Sequence, residues 1–540
     1  MQRGTVIVVL MSGEAAEVQV SDEMTALQLR RRAEEDLRVH LKHLVTADGR
    51  VLCGLRRLTA QGVAPGDTLT ATVRQAALVS RIGSAAIALL KSDGSVVAWG
   101  DPFSGGTLTA MQEERLQDVQ QIAASFGAFC GVTGDGAAVA WGDPDFGGDS
   151  HAVRHQLKDV KEVFATGFAF AALKVDGTVV TWGENYPGGD SRAVQSQLRD
   201  VRTIAASSYA FAAIKTNGEV ITWGSKNPPV EAEELPAVQH IVASHEAFCA
   251  VTTGGRCVTW GDRKFGGDSH AVEERLQGVQ QVVASFRAFA ALTGAGAVVC
   301  WGDDRFGGML PKEVEAKLVK VQQLSASHAA FCAVLATGEV VAWGQPEFGG
   351  QVPEHLQNRL TDVNFVGSSK SLFCAVQHSG HVVVWGDPSR QGEVEEVEEE
   401  LHDVCSVCAS SHAFAALRRD GRVITWGDPG FGGDSSKVAL QLQDVGKRLK
   451  PRIKRSLSET RMTEKARSFA ELQLCLLPAE LKQSHLKEDG SIEDATIARW
   501  LFSWMAVWLK QLGGTRPEQL QVLLSSAPEQ VQDALRSSGL

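Results

Sequence analysis

Residues 159–198 read DVKEVFATGFAFAALKVDGTVVTWGENYPGGDSRAVQSQL, and this stretch decides the fold. It splits into four pieces. The first, V-x-x-V-x-A, also seen with a closing Ser at 119–125, predicts a short apolar strand. The second and third are the apolar runs 169–174 and 178–182, separated by Asp176-Gly177. Asp-Gly between two apolar runs signals a hairpin, because glycine accepts positive φ without strain. The fourth is a Gly-Gly-Asp-Ser loop leading into a short predicted helix. In its copy at 149–157, Asp149 or Ser150 can cap, and Val153 and Leu157 share a face.

The unit recurs. Trp-Gly occurs nine times, at Trp99, Trp141, Trp182, Trp223, Trp260, Trp301, Trp343, Trp385 and Trp426, spaced 42, 41, 41, 37, 41, 42, 42 and 41 residues apart. Asp-Gly or Asn-Gly returns at Asp93, Asp135, Asn217 and Asp420. Three strands and one helical turn cannot bury their own apolar face, whereas stacked units can. The region from about 77 to 445 is therefore expected to fold as one mainly β body of nine ~41-residue units.

Composition agrees with a globular chain. The 540 residues are 44% hydrophobic and 22% charged, with 54 Gly and 16 Pro. The net charge of −11 is uneven: +1 over residues 1–75, −16 over 76–445 and +4 over 446–540. An acidic body argues against wrapping nucleic acid, which requires a basic face. The densest apolar stretches, 6–11 and 501–509, fall far short of the ~20 residues that span a bilayer. Ten scattered cysteines fit a reducing compartment, giving a cytoplasmic expectation with a nuclear alternative.

These residues resemble the regulator-of-chromosome-condensation repeat family, whose units carry a strand, a D-G hairpin, W-G and a Gly-rich loop. Ser327-His328 before Ala330-Phe331, then Gly338 and Trp343-Gly344, show the order. The resemblance covers about two thirds of the chain and implies a β-propeller with one blade per unit. The ~41-residue spacing is nearer the propeller-type β-lactamase inhibitor proteins than the longer blades usual in the family. Nine units exceed the usual ~4–8 blades. A ring of seven plus two, a nine-fold ring and an open superhelix all satisfy the repeat.

Two smaller regions flank the array. Residues 1–75 read as a hairpin, a helix over 25–37, apolar runs at Leu44-Val45 and Val51-Leu52, and a closing strand over 68–73. That order resembles a ubiquitin-like, β-grasp α+β domain. Because Arg74-Gln75-Ala76-Ala77 replace a terminal diglycine, the resemblance implies a fixed recognition module that is not conjugated. Residues 446–467 form a basic linker. Its stretch 447–455 suits an import receptor or another anionic partner, or docks on the acidic body. Residues 468–540 are expected to be helical. There Trp500, Trp504 and Trp508 share one face, as a bundle core or a partner-docking face.

The search for chemistry yields no nucleotide-binding, zinc-protease or serine-hydrolase motif. Cys405 and Cys408 fall within a first strand at i, i+3, on opposite faces, which disfavours a redox or zinc role. Cys130, Cys249, Cys332 and Cys374 occupy one small-residue position and read as buried. His245, His328 and His412 hold equivalent positions and suggest a structural hydrogen bond repeated around a ring. The Asp residues of the Gly-Gly-Asp-Ser loops and those after Trp-Gly could line one rim. Asp143, Asp149, Asp190, Asp262, Asp268, Asp428 and Asp434 are the candidate partner-binding residues, with Trp500, Trp504 and Trp508. One Asp per loop is too few for calcium, and no cofactor is expected. The reading is a non-enzymatic protein-interaction scaffold, with an adaptor role in the ubiquitin pathway. The alternatives are a nucleotide-exchange factor for a small GTPase, from the resemblance alone, and a relative of HECT-type ligases lacking the catalytic domain. About 95 residues remain after the repeats, against the roughly 350 of a HECT domain, and Cys475 is the sole thiol among them.

Overall fold

The computed structural model of the chain describes residues 4–224, 237–387, 389 and 392–443. The basic linker, Cys475 and the Trp500, Trp504 and Trp508 stripe lie outside the described residues. The chain divides into two compact units, 1–44 with 51–450, and 45–50 with 451–540. Of the second, residues 45–50 form a turn closed by the Thr46 amide donating to Arg50 (2.9 Å).

The N-terminal segment folds as strands β1 (Gly4–Leu10) and β2 (Ala15–Val20), helix α1 (Ala26–Leu37), and strands β3 (Leu41–Val45) and β4 (Thr68–Val73). The sheet order is β2-β1-β4-β3, with β1 antiparallel to β2 and parallel to β4. This is a β-grasp arrangement. Alternation decides the inner face: Ala16, Val18 and Val20 are buried and their neighbours exposed. Thr25 starts α1 by a capping box with Gln28, and Arg38 ends it in the left-handed region. The Val51-Leu52 run adds no strand; Leu52 donates to the Leu44 carbonyl (2.8 Å).

Nine three-stranded antiparallel sheets follow, at 77–100, 119–142, 160–183, 201–223, 238–261, 279–302, 321–344, 363–386 and 404–427. We number them blades 1–9. The middle strand of a blade is covered on both faces, so it reads as small residues alternating with one ring: Ala128–Thr133 is buried throughout. Cys130, Cys249, Cys332 and Cys374 sit there, fully buried. The predicted helices contract. After the Gly-Gly loop of blade 2 there is only a 3₁₀ turn, His151–Val153. Elsewhere among the described residues of the repeats the longest are the 3₁₀ helix His270–Arg275 and the α-helix Ala110–Arg115, six residues each.

Antiparallel pairing gives each blade two ends. Ala124 pairs with Phe129 and Ala128 with Gly142, so the loop after the first strand and the exit of the third share one end, the loop end. The hairpin turn lies at the other, the turn end. Only its glycine has positive φ, and Gly136 donates back to Thr133 (2.8 Å), so the hairpin is a turn with a glycine bulge. The same glycine abuts the next blade. At Gly338, φ is +80° and a Cβ would stand 2.7 Å from the Asp362 backbone. Its carbonyl accepts from Val363 of blade 8 (3.0 Å), as Gly136 does from Val160 (2.9 Å).

The loop end carries the second joint. Each middle-strand Phe stacks on the Trp of the third strand, as Phe170 on Trp182 (5.4 Å, 16°). The Trp182 indole N–H donates to the carbonyl of Gly147 in the preceding blade (3.0 Å). Gly147 itself, at φ +88°, would place a Cβ 2.7 Å from the Phe170 ring. The joint recurs from Trp141 to Gly105, Trp223 to Gly188, Trp301 to Gly266 and Trp385 to Gly349.

The same joint closes the ring. The Trp99 indole of blade 1 donates to Gly432 of blade 9 (2.9 Å), and Ser411 donates to Ser84 (2.9 Å). Ile87, Leu89, Val97 and Trp99 form one core cluster with Ala415, Leu417 and Leu442. The array is thus a closed nine-blade ring; neither seven plus two nor an open superhelix is formed.

The β-grasp segment docks at the turn end. Arg30 of α1 and Arg74 both pair with Asp118, the residue leading into blade 2, Arg74 at 2.6 Å. Arg30 and Arg74 side chains are 6% and 2% exposed, so two buried guanidiniums share Asp118 as counter-ion. Arg74 also reaches the Ser92 carbonyl in the turn of blade 1 (3.4 Å).

Two predictions follow from these joints. Asp118→Ala strands two buried cations and is expected to destabilise this docking by about 3 kcal/mol. It should show as faster proteolytic cleavage near residue 75 and a lower melting temperature. Gly338→Ala is expected to cost about 1–3 kcal/mol from backbone strain alone. Gly254→Ala, whose Cβ would meet nothing nearer than 3.9 Å, should be near neutral in the same denaturation measurement.

Candidate functional site: the loop end of the ring

Two loops per blade build the loop end. The inner loop follows the first strand and begins with a buried Ser or Thr in most blades. The outer loop follows Trp-Gly. A hydroxyl ties them together: Ser125 donates to the Phe146 carbonyl (2.8 Å), Ser244 to Phe265 (2.7 Å), Ser327 to Phe348 (2.7 Å) and Ser410 to Phe431 (2.8 Å). The inner loops are linked around the axis by backbone hydrogen bonds. Phe126 donates to Gly167, Gly167 to Ser208, Ser208 to His245, His245 to Phe286, Phe286 to His328 and His328 to Lys370, at 2.9–3.2 Å.

Side chains on these loops form a band of touching rings. Phe126 meets Phe168 (5.4 Å between centroids), Phe168 meets Tyr209 (5.4 Å), and Tyr209 meets His245 (4.9 Å). His245 meets Phe286 (3.9 Å) and Phe286 meets His328 (4.3 Å). Phe146, Phe265, Phe306 and Phe348 of the outer loops pack against this band. The Arg287 guanidinium lies over Phe265 (4.8 Å) and Phe306 (5.2 Å). Arg81 of blade 1 reaches across to the Ala165 carbonyl (2.6 Å) in blade 3 and the Ser207 carbonyl (3.2 Å) in blade 4, with its guanidinium over Phe126 (5.4 Å). Burial lowers Arg81 to about 10, so it stays charged at neutral pH.

The expected histidine hydrogen bond is a correction. The bond that repeats around the ring belongs to the backbone, while the His245 and His328 imidazoles stack on phenyl rings. Burial first, then neighbouring charge, lowers both to about 4: His328 and Arg81 act on His245, Lys370 and Arg287 on His328. Both are neutral near pH 7. The Phe286 ring lies between the two imidazoles, and no group of three His, Cys, Asp or Glu that could hold a metal is present among the described residues.

Each predicted Asp of the array caps a turn. Asp143 accepts from the Asp145 amide (2.9 Å), Asp262 from Lys264 (2.8 Å) and Asp428 from Gly430 (2.9 Å). Asp149 accepts from His151 (2.8 Å), Asp268 from His270 (3.0 Å) and Asp434 from Ser436 (2.8 Å), and all three carboxylates are exposed. Asp190 accepts from Arg192 and pairs with its guanidinium (2.6 Å), which lowers it to about 2. Ring geometry distributes the seven over four blades at one end, two each on blades 2, 5 and 9 and one on blade 3. Trp500, Trp504 and Trp508 lie outside the described residues.

The thiols are poorly set for nucleophilic work. Burial pushes Cys408 up to about 12 and raises Cys405, whose Sγ meets the Leu417 carbonyl (3.2 Å). Sequence reasoning missed the aromatic band. Its signal is a column: Phe126, His245, Phe286 and His328 stand at one position of the unit, and Phe168, Tyr209 and Arg287 at the next.

No family model matches the chain, and no curated protein matches it. Among solved structures, it is similar to the CRINKLY WD40 ectodomain of the Arabidopsis thaliana receptor kinase ACR4, with 20% identity over 50% of this chain and 94% of that one, TM-score 0.32. It is also similar to Prp20p from Saccharomyces cerevisiae, a protein described for binding Gsp1p and histones, with 16% identity over 51% and 73%, TM-score 0.31. The UBL domain of Plasmodium falciparum Dsk2 aligns with 13% of this chain and 96% of its own, at 22% identity and TM-score 0.12. At such scores the nine-blade ring rests on the joints described above. No helix among the described residues is long and apolar enough to cross a membrane.

The histidines generate a pH prediction. Their folded values lie below the ordinary 6.5, so the unfolded chain binds more protons between pH 6.5 and about 4. Their contribution is present above pH 6.5 and is lost as pH falls towards 4. Replacing both by Phe, the residue blades 2 and 6 already use, should flatten the fall in melting temperature over that window relative to the natural chain.

Proposed function

We propose that the protein is a non-enzymatic interaction scaffold that binds protein partners on the loop end of its ring. The observation that carries this reading is the division of the ring's two ends. The β-grasp segment occupies the turn end through Asp118, whereas the loop end presents half-buried rings beside exposed carboxylates. Aromatic side chains with a polar surround are the composition of protein-binding patches. The β-grasp topology of the N-terminal segment, which continues into blade 1 without a diglycine, supports reading it as a fixed ubiquitin-like module and the scaffold as an adaptor in the ubiquitin pathway. The stacked histidines and capping carboxylates already have structural work, which supports binding over catalysis.

Cross-linking mass spectrometry on the full chain, purified with its bound proteins, tests the reading. Cross-links to partners are expected at Lys264 and Lys370, on the loop end. Partners joined only through Lys91 and Lys174, at the turn end, would overturn it.

A further inference from the structure

The described outer loops differ in charge. Those of blades 3, 5 and 6 carry their own cations: Arg192 pairs with Asp190 (2.6 Å), Arg263 reaches Asp268 (3.5 Å) and Arg305 pairs with Asp303 (2.9 Å). The loops of blades 9, 1 and 2, DPGFGGDS at 428–435, DPFSGGT at 101–107 and DPDFGGDS at 143–150, contain no Lys or Arg. Closure of the ring makes these three neighbours, although more than 270 residues separate the second from the first in the chain. An arc of carboxylates results, none of them in a salt bridge among the described residues, with Asp145, Asp149 and Asp434 exposed and Lys437 the cation nearest Asp434.

The same arc holds an apolar group that the fold does not use. The third position after Trp-Gly is Asp145, Lys264, Arg305 or Glu347 in other blades, and the ring of the next residue packs inward as Phe146, Phe265, Phe306 or Phe348. In blade 1 the two are shifted. Ser104 takes the inward position, its hydroxyl donating to Asp101 (2.6 Å), and Phe103 stands outside it, 83% exposed. Met111 (70%) follows on the same connection, and Leu440 (82%) lies on the connection that packs against Trp99. A large exposed ring costs solubility without gaining core, and such groups mark interaction sites when they gather.

We propose that the loop end over blades 9, 1 and 2 docks a basic protein segment that carries an apolar anchor residue. The anchor packs on Phe103, and flanking Lys or Arg side chains face the carboxylates of the arc. Charge decides the occupant: an acidic segment would meet like charge on three successive loops, and a neutral one would leave the carboxylates unanswered. The inference rests on the scaffold reading and narrows it to one sector and one partner chemistry.

Fluorescence anisotropy on the full chain tests it with three labelled peptides: Gly-Lys-Arg-Leu-Arg-Lys-Gly, the same peptide with Ser for Leu, and Gly-Glu-Asp-Leu-Asp-Glu-Gly. The leucine peptide is expected to bind about fivefold or more tighter than the serine one, as burial of one aliphatic side chain allows. The acidic peptide should not bind. Phe103→Ser should abolish the preference for leucine, and Asp145→Lys should weaken both basic peptides. Glu347→Lys, on blade 7, should change neither. Phe103 and Asp145 are exposed, and Asp145 caps nothing with its side chain, so both variants should keep the natural melting temperature. Equal binding of the leucine and serine peptides, or indifference to Asp145→Lys, would overturn the proposal. If the proposal fails while cross-links still place partners at Lys264 and Lys370, the scaffold reading stands; if those cross-links fail as well, both fall.

Discussion

An indole N–H donated to a glycine carbonyl of the preceding blade sets the spacing of the ring. It uses a Trp on the third strand, a Phe beside it in blades 2–9 and Ile87 in blade 1, and a glycine whose missing Cβ lets the two blades meet. The joint combines direction with area: the hydrogen bond fixes orientation, and the stacked rings supply burial. The Phe–Trp stack recurs in blades 2–9 and the indole bond at six of the nine Trp residues; the small rotation between such blades accumulates, and closure follows when the last blade meets the first. Nine units of this geometry close with Trp99 on Gly432.

The repeat was readable because each joint leaves a residue signature. Trp-Gly, Asp-Gly and Gly-Gly mark places where the backbone needs positive φ or a neighbour needs the space of a side chain. Strands and hairpins were therefore evident in 159–198 alone. Closure was not, because no residue in a unit records how far it rotates from the last. The helical turns were overestimated for a related reason: Val153 and Leu157 have helical spacing, but Leu157 is buried by a chain reversal rather than by a helix face.

The candidate surface was half legible. The carboxylates were visible in the loops, though their role as caps required coordinates, since an Asp before a turn and an Asp facing a partner are the same letter. The aromatic band was harder. Its members belong to successive blades, and rings such as Phe126 and Phe168, a whole unit apart in the chain, touch only once the blades are set around an axis. Phe103 is not legible as a surface group in the sequence, where one aromatic among repeated aromatics reads as core; its shift by one position has meaning only against the burial of Phe146 and its equivalents.

The attachment of the β-grasp segment has a mechanical consequence. Arg74 holds the turn of blade 1 through Ser92 and the entry to blade 2 through Asp118, while the chain itself runs on into blade 1. A load applied at the N-terminus is therefore divided between two adjacent blades instead of peeling the first from the rest. The segment behaves as a splint across one seam of a ring that has no covalent closure. Among the described residues the seam between blades 9 and 1 has no ion pair of this kind; the Trp99 indole bond to Gly432 and the packing of Leu442 against blade 1 bridge it instead.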